Sequence, residues 1–300
     1  MSCSEASHTL HKDMEAKKLT PEDLAHMKEW VSKQPHFPKN ISDDLLKLFL
    51  HSCYYRLEVT KKALETYLTL KTNTPEFFDN RTVEDNGIKH ILNVVKFCIL
   101  PKTSKNGYTV LFAKLINCEV SQFVLDDAIK LLFMVVDTYL KEYKTKSRGL
   151  LFLFDHSGVS LGHLTRVNLS SVRKYFHYIQ DAMPVRLKGI HIINVNPVMT
   201  HIMTMIKPFI HKQHVQHIHL HTPDDIKNMY ETIPQDILPK DYNGEESSSD
   251  TLSKELLEKL CENTEFFKQD EKLRIDDSKR QDSNYDNFST HGSFKKLTLD

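Results

Sequence analysis

Glycine is scarce in this sequence, cysteine is dispersed, and neither sign of charge prevails. Each shortage removes a class of protein. Basic and acidic residues balance at 40 each, so no global field favours nucleic acid or an anionic membrane, and no nucleic-acid partner is expected. The cysteines, Cys3, Cys53, Cys98, Cys118 and Cys261, are odd in number, widely spaced and without a C-x-x-C pair. That pattern suggests neither a disulfide frame nor a thiolate zinc site. No apolar run approaches the roughly 18 residues of a membrane-spanning helix. The polar stretch 1–22 lacks the apolar core of a signal peptide, and a cytoplasmic protein is expected.

What is present falls into three zones. Residues 1–95 read as a helical domain. Thr20-Pro21-Glu22-Asp23 is a helix start, with Leu24, Met27 and Val31 following at helical spacing. Ile41-Ser42-Asp43-Asp44 opens a second helix through Leu45, Leu48 and Phe49, and a third runs through Val59, Leu64 and Leu68. Residues 96–247 alternate strand and helix. Thr109–Leu115, Gly149–Asp155, Gly189–Val195 and His217–His221 read as strands; Asp126–Tyr139, Ser170–Met183 and Pro197–Lys212 read as helices. Alternation of this kind, with continuously apolar strands, predicts an α/β fold with a mostly parallel sheet. Residues 248–300 begin with a short helix at Ser253–Phe267 and continue as a flexible polar tail.

The helix after Asn196-Pro197 stands out. Val198, Ile202, Met205 and Phe209 form one apolar stripe; Met199, Met203, Ile206 and Ile210 form the next. Together they cover more of the helix than one core-facing side requires. Pro208 should kink or end it. Composition alone leaves two readings level: a fully buried helix, or a lid with one stripe against a ligand, where adaptable methionines suit irregular apolar partners.

Ile179–Asn194, Met205-Ile206-Lys207-Pro208-Phe209-Ile210, Ile218-His219-Leu220-His221 and Ile237–Glu245 occur in order, after a helical module at Asp43–Lys71. Over roughly residues 24–250 the chain thereby resembles the CRAL-TRIO (Sec14-like) family, nearest the branch of alpha-tocopherol transfer protein-like carriers. The resemblance implies an N-terminal helical bundle, then a lipid-binding domain whose gate helix is Pro197–Lys212. It implies a monomeric, non-enzymatic protein without a cofactor, binding a retinoid, tocopherol, carotenoid or similar lipid and touching membranes transiently. Carried-over pocket positions are Phe133, Val136, Phe154, Leu161, Tyr175, Ile179, Ile192, Ile202, Met203 and Ile206, all apolar or aromatic. The gate would present Val198, Met199, Met205, Phe209 and Ile210. The family's phosphoinositide-binding cluster maps onto Cys53, Arg186, Gln213 and His217, of which only Arg186 is reliably charged; Lys188, Lys207 and Lys212 lie nearby. Asn243 replaces the first glycine of the closing motif, and asparagine tolerates the left-handed backbone that a turn there needs. Ser121, Tyr175 and Tyr178 are candidates to orient the ligand's polar atoms.

Three other readings compete. Gly158-Val159-Ser160-Leu161-Gly162 matches a nucleophile elbow after an apolar strand, with Asp155, His156 and His163 close by. The lack of a glycine-rich oxyanion segment and the absence of a helix pattern directly after Ser160 favour a plain turn over an esterase. His211, His214, His217, His219 and His221 are dense enough for zinc, yet neither cysteine nor carboxylate completes a ligand set, and no metal site is assigned. A lipid-responsive adaptor is the remaining alternative, with the tail Asn284–Asp300 as its contact.

Overall fold

Thr20 Oγ1 accepts the Asp23 N–H and the Asp23 carboxylate accepts the Thr20 N–H, so α1 (Pro21–Ser32) starts at a complete capping box. The computed structural model describes residues 18–143 and 148–280. Ser42 caps α2 (Asp43–Ser52) through the Leu45 N–H, and α3 (Leu57–Asn73) follows a turn in which Tyr54 and Tyr55 take left-handed backbone. Two short helices, α4 (Pro75–Phe78) and α5 (Asn86–Ile91), complete this region. Its buried Leu46, Phe49, Leu64 and Leu68 belong to the same core as one face of the sheet.

A strand not anticipated from the sequence begins directly after these helices. β1 (Val95–Ile99) pairs antiparallel with β2 (Thr109–Leu115), and Gly107 takes a φ of 75° on the way between them. β3 (Leu150–Asp155), β4 (Leu187–Ile193) and β5 (Ile218–Leu220) add in parallel, giving the spatial order β1-β2-β3-β4-β5. The pleat sorts the side chains. Leu111, Leu150 and Phe152 join one core with α6 (Leu125–Tyr143) and α8 (Leu169–Asp181). Val110, Phe112, Leu151 and Leu153 join a second with Met229 of α10 (Ile226–Met229) and with Ile233, Ile237 and Leu238. Burial on both faces explains why these strands read as unbroken apolar runs.

The closing motif makes its turn with Asn243 at φ 58°, as the sequence allows. Gly244 cannot be replaced cheaply, because a Cβ there would lie 1.8 Å from the Leu238 carbonyl oxygen. Beyond it, α11 (Ser249–Glu262) and α12 (Thr264–Asp270) are longer than the single short helix expected. The chain after Lys268 is also not the loose polar tail that its composition suggested, as far as Arg280. The Ile275 N–H donates to Thr72 Oγ1 at 3.0 Å, the Asp276 N–H to the His36 carbonyl at 2.9 Å, and Arg280 meets Glu65 at 2.6 Å. This strap returns to the N-terminal helices and buries Leu273 and Ile275. The tail segment Asn284–Asp300 lies outside the described residues.

Candidate ligand pocket

Asn196 sets the start of α9 (Val198–Ile206): its Oδ1 accepts the Val198 N–H at 3.0 Å while its Nδ2 donates to the Val159 carbonyl at 3.0 Å. The helix ends before Pro208, and Lys207–Phe209 tightens into a 3₁₀ turn. It is therefore shorter than the expected Pro197–Lys212. Gln180 of α8 holds the exit, donating to the Phe209 carbonyl at 2.9 Å and accepting the His211 N–H at 2.7 Å.

Against α9 lies a cavity of about 330 Å³. The sheet contributes Phe97, Ala113, Phe154 and Ile192, α6 contributes Ile129 and Leu132, and α9 contributes Ile202, Met205 and Ile206. Of the positions carried over from the resemblance, Phe154, Tyr175, Ile192, Ile202 and Ile206 are on its wall. Others lie elsewhere. Phe133 and Val136 are buried in solid core, with Phe133 stacked on Tyr175 at 6.1 Å between ring centres and packed edge-on to Phe77. Leu161 is 54% exposed. Ile179 borders a different hollow. Met203 is off the lining, since one residue past Ile202 turns about 100° around the helix. Within the expected gate set, Met205 reaches the cavity, Val198 and Phe209 are half-buried, Met199 is buried, and Ile210 faces the second hollow.

That second hollow, about 650 Å³, has mixed polar and apolar walls and is bordered by Cys53, Tyr54, Asp181, Arg186 and His217. The Arg186 guanidinium sits 4.0 Å from the centre of the Tyr54 ring and its Nε donates to the His51 carbonyl at 2.9 Å; Lys188 Nζ donates to the Tyr54 hydroxyl at 2.9 Å. Burial, with Arg186 and Lys188 alongside, pushes the His51 imidazole down to about 4, and burial pushes the Cys53 thiol up. Lys207, Lys212, Gln213 and His217 are exposed, and of the four mapped positions Cys53, Arg186 and His217 border this hollow.

Few polar groups face the apolar cavity. Lys114 and Asp155 touch its rim, but strand alternation turns their charges to the opposite face of the sheet. There Lys114 Nζ lies 5.2 Å from the Tyr242 ring centre. Asp155 accepts from the Tyr242 hydroxyl, from Asn194 Nδ2 at 2.9 Å and from Ser157; these hydrogen bonds outweigh the burial that opposes ionisation and hold its carboxyl below the usual range. What remains on the wall is His156, His163 and Tyr175. Burial pushes the His156 imidazole down to about 4 and pushes the Tyr175 phenol above its ordinary range. Of the other two residues considered for orienting a ligand, Ser121 is exposed and donates to Glu119 at 3.2 Å, and Tyr178 is packed against Phe133 at 4.4 Å.

Ser160 does open a short helix, α7 (Leu161–Leu164), contrary to the loop expected there. The arrangement is still a cap rather than a catalytic elbow. His163 Nδ1, the atom that would act as base towards Ser160 Oγ at 3.0 Å, accepts the Ser160 backbone N–H at 3.1 Å. Its Nε2 has no hydrogen-bond partner among the described residues, so no carboxylate orients the ring. The histidine-rich stretch divides into two groups. His211 meets Asp181 at 3.0 Å, with His214 beside Gln180 at 3.2 Å; His191 meets His221 at 3.1 Å and stacks on His219. Among the described residues no three His, Cys, Asp or Glu side chains are placed to hold a metal ion. Among them, too, no helix is long and apolar enough to cross a membrane.

Residues 93–244, just over half of the chain, match the model of the CRAL/TRIO domain, and residues 16–88 match that of the Pinta-like UBA domain. The chain belongs to the CRAL/TRIO family, whose members typically bind and transfer small lipophilic molecules. It is 26% identical over 232 residues to the alpha-tocopherol transfer protein-like protein of Mus musculus, covering 77% of this chain and 67% of that one. With clavesin-1 of Xenopus laevis it shares 21% identity over 224 residues, 74% of this chain and 67% of the relative. The crystal structure of Sfh5 superposes with a TM-score of 0.50 at 14% identity, over 72% of this chain and 77% of that one, a likeness of fold.

Proposed function

We propose that this protein takes one small hydrophobic molecule into the cavity beside α9, shields it from water, and transfers it between membranes. A retinoid, a tocopherol, a carotenoid or a lipid of similar shape is the ligand class. The observation that carries this reading is the hollow of about 330 Å³ walled by Phe154, Ile192, Ile202, Met205 and Ile206, within the volume range of small-molecule pockets. Each ligand methylene moved there from water is worth about 0.8 kcal/mol, so an apolar chain supplies affinity without a specific anchor. No covalent chemistry is required.

In this reading α9 is the gate. It contributes side chains to the cavity, it ends at a proline, and the segment after it carries the exposed cations Lys207 and Lys212. Those cations, with Arg186 and His217 on the second hollow and Lys188 held by the Tyr54 hydroxyl beside it, are the groups proposed to meet an anionic membrane or a phosphoinositide head group as the gate opens.

Native mass spectrometry of the protein purified from its own tissue, followed by lipid extraction, identifies the cargo. A fluorescence assay of lipophile transfer between donor and acceptor vesicles measures the activity. Protein that arrives without lipid and leaves the spontaneous transfer rate unchanged rules the proposal out.

A further inference from the structure

Both hollows run beside α8, and three side chains line the two of them together. Along the helix, Val172 and Tyr175 line the apolar cavity alone, Phe176 lines both hollows, and Ile179 and Met183 line the second alone. β4 repeats the order from the other side. Ile192 lines the cavity, Ile190 lines both, and Arg186 and Leu187 line the second hollow. Ile218, the register partner of Ile190 on β5, also lines both. The same succession on a helix and on a strand places the hollows end to end, with Phe176, Ile190 and Ile218 as the partition between them.

Ile190 and Ile218 stand on paired parallel strands, and as β-branched side chains they have little rotamer freedom. Phe176 faces them from α8 and is the bulkiest of the three. It is buried, its ring lies edge-on to Tyr175 with the ring centres 5.1 Å apart, and its carbonyl accepts Gln180 Nε2 at 2.9 Å. Beyond it lies the larger hollow, about 650 Å³ against about 330 Å³ for the cavity. The far end of the cargo cavity is thus one aromatic ring with space behind it.

We propose that Phe176 sets the length of the cargo: an apolar chain is accepted until its end meets this ring, and longer chains are refused. The selection acts on shape. Each methylene that fits adds its full apolar burial, about fourfold in affinity. A methylene beyond the partition must displace a packed ring, with the penalty that overpacking carries in any core. A chain that did pass would enter walls bearing Arg186 and Asp181, charged groups that an apolar guest strips of water. This length limit rests on the cavity being the ligand site, as proposed above.

The test uses the full-length protein and a series of straight-chain primary alcohols of increasing length, each measured by displacement of one fluorescent polyene. In the unmodified protein Kd should fall about fourfold per added methylene and then, at one chain length, stop falling. Phe176→Ala opens the partition and should carry that break to chains longer by about four carbons or more, each still adding its burial, with shorter chains changed about threefold at most. Phe176→Leu disturbs packing less and should move the break in the same direction by less. A second measurement needs no variant. An alcohol of the break length with a photoreactive diazirine at its tip should label the partition residues and leave Val59, on the second hollow, unlabelled. Label on Val59, an affinity that rises through the whole series, or a break that both variants leave in place refutes the length limit while the cavity reading survives. Should neither the polyene nor any alcohol bind, the cavity reading itself fails.

Discussion

Arg81 and Asp270 are 189 residues apart and form an ion pair in the interior, with the Arg81 side chain shut off from solvent. Arg81 also meets Asp137 of α6 at 2.5 Å, and Lys71 of α3 donates to Asp270, so four buried charges join the helical region, the sheet domain and the C-terminal helix α12. Burial alone would raise the Asp270 carboxyl; the facing Arg81 and Lys71 outweigh it and hold it below the usual range.

Breaking this group from one side strands charge. Arg81→Met leaves two buried carboxylates without their shared partner, and urea denaturation should show a loss of about 3–5 kcal/mol. Asp270→Asn keeps the shape but leaves Lys71 without a carboxylate and Arg81 with Asp137 alone, and should cost a similar amount. A change under about 1 kcal/mol in either variant would contradict the assignment of a buried, mutually dependent cluster.

Ile202→Asp combined with Ile206→Asp places two carboxylates on the cavity wall. Ligand retention in native mass spectrometry should be lost, while far-ultraviolet circular dichroism stays unchanged because both positions are only half-buried. The same double change at Thr200 and Thr204, which face solvent, should leave retention intact.

Acid should weaken the fold before the carboxylates titrate. Burial, with His219 and His221 close by, pushes His191 down to about 3, and His191 is 3% exposed. An unfolded chain takes up the proton near pH 6.5, whereas the folded one resists until about 3, so the unfolded state binds more protons across that interval. Stability is fully present above pH 6.5 and falls as the pH drops, by up to about 1.4 kcal/mol per pH unit for a histidine that titrates only when unfolded. Chemical denaturation between pH 7.5 and 5 should show the decline, and His191→Phe should make it shallower, leaving the share of His51 and His156, which burial also holds down at about 4.

Gly244→Ala forces a methyl group onto the Leu238 carbonyl, a backbone atom that cannot swing aside. A loss of about 2–4 kcal/mol is expected, among the larger single-residue effects. Asn243→Ala, at φ 58°, should cost only about 1 kcal/mol. Thermal denaturation of the two variants side by side tests the order.

The parts of this fold that were legible in the sequence are those whose pattern is local. The Thr20 and Ser42 caps, the apolar strands β2 to β4 and the break at Pro208 each announce themselves within a few residues. β1 escaped notice because Val95–Ile99 follows α5 without a glycine or proline to mark a change, and its pairing is decided by β2. The strap 271–280 was unreadable for another reason: it is polar apart from Leu273 and Ile275, and its partners Thr72 and His36 lie some two hundred residues upstream. At the cavity, family resemblance placed Ile202 and Ile206 on the wall but also Met203, whose position on the helix points it away from the lining. His156 and His163 were visible only as neighbours of a serine motif.

Adjacent residues at the end of β3 have divided loyalties: Phe154 belongs to the hollow, and Asp155 to Tyr242 and the closing turn. An engineer can therefore tailor capacity at Phe154, trimming it to leucine or alanine for bulkier cargo, without disturbing the seam that Asp155 locks on the reverse of the sheet. Shifting β3 by one position would exchange the two, immersing a carboxylate in oil and stripping the seam of its acceptor. The strand thus carries its own safeguard against misalignment.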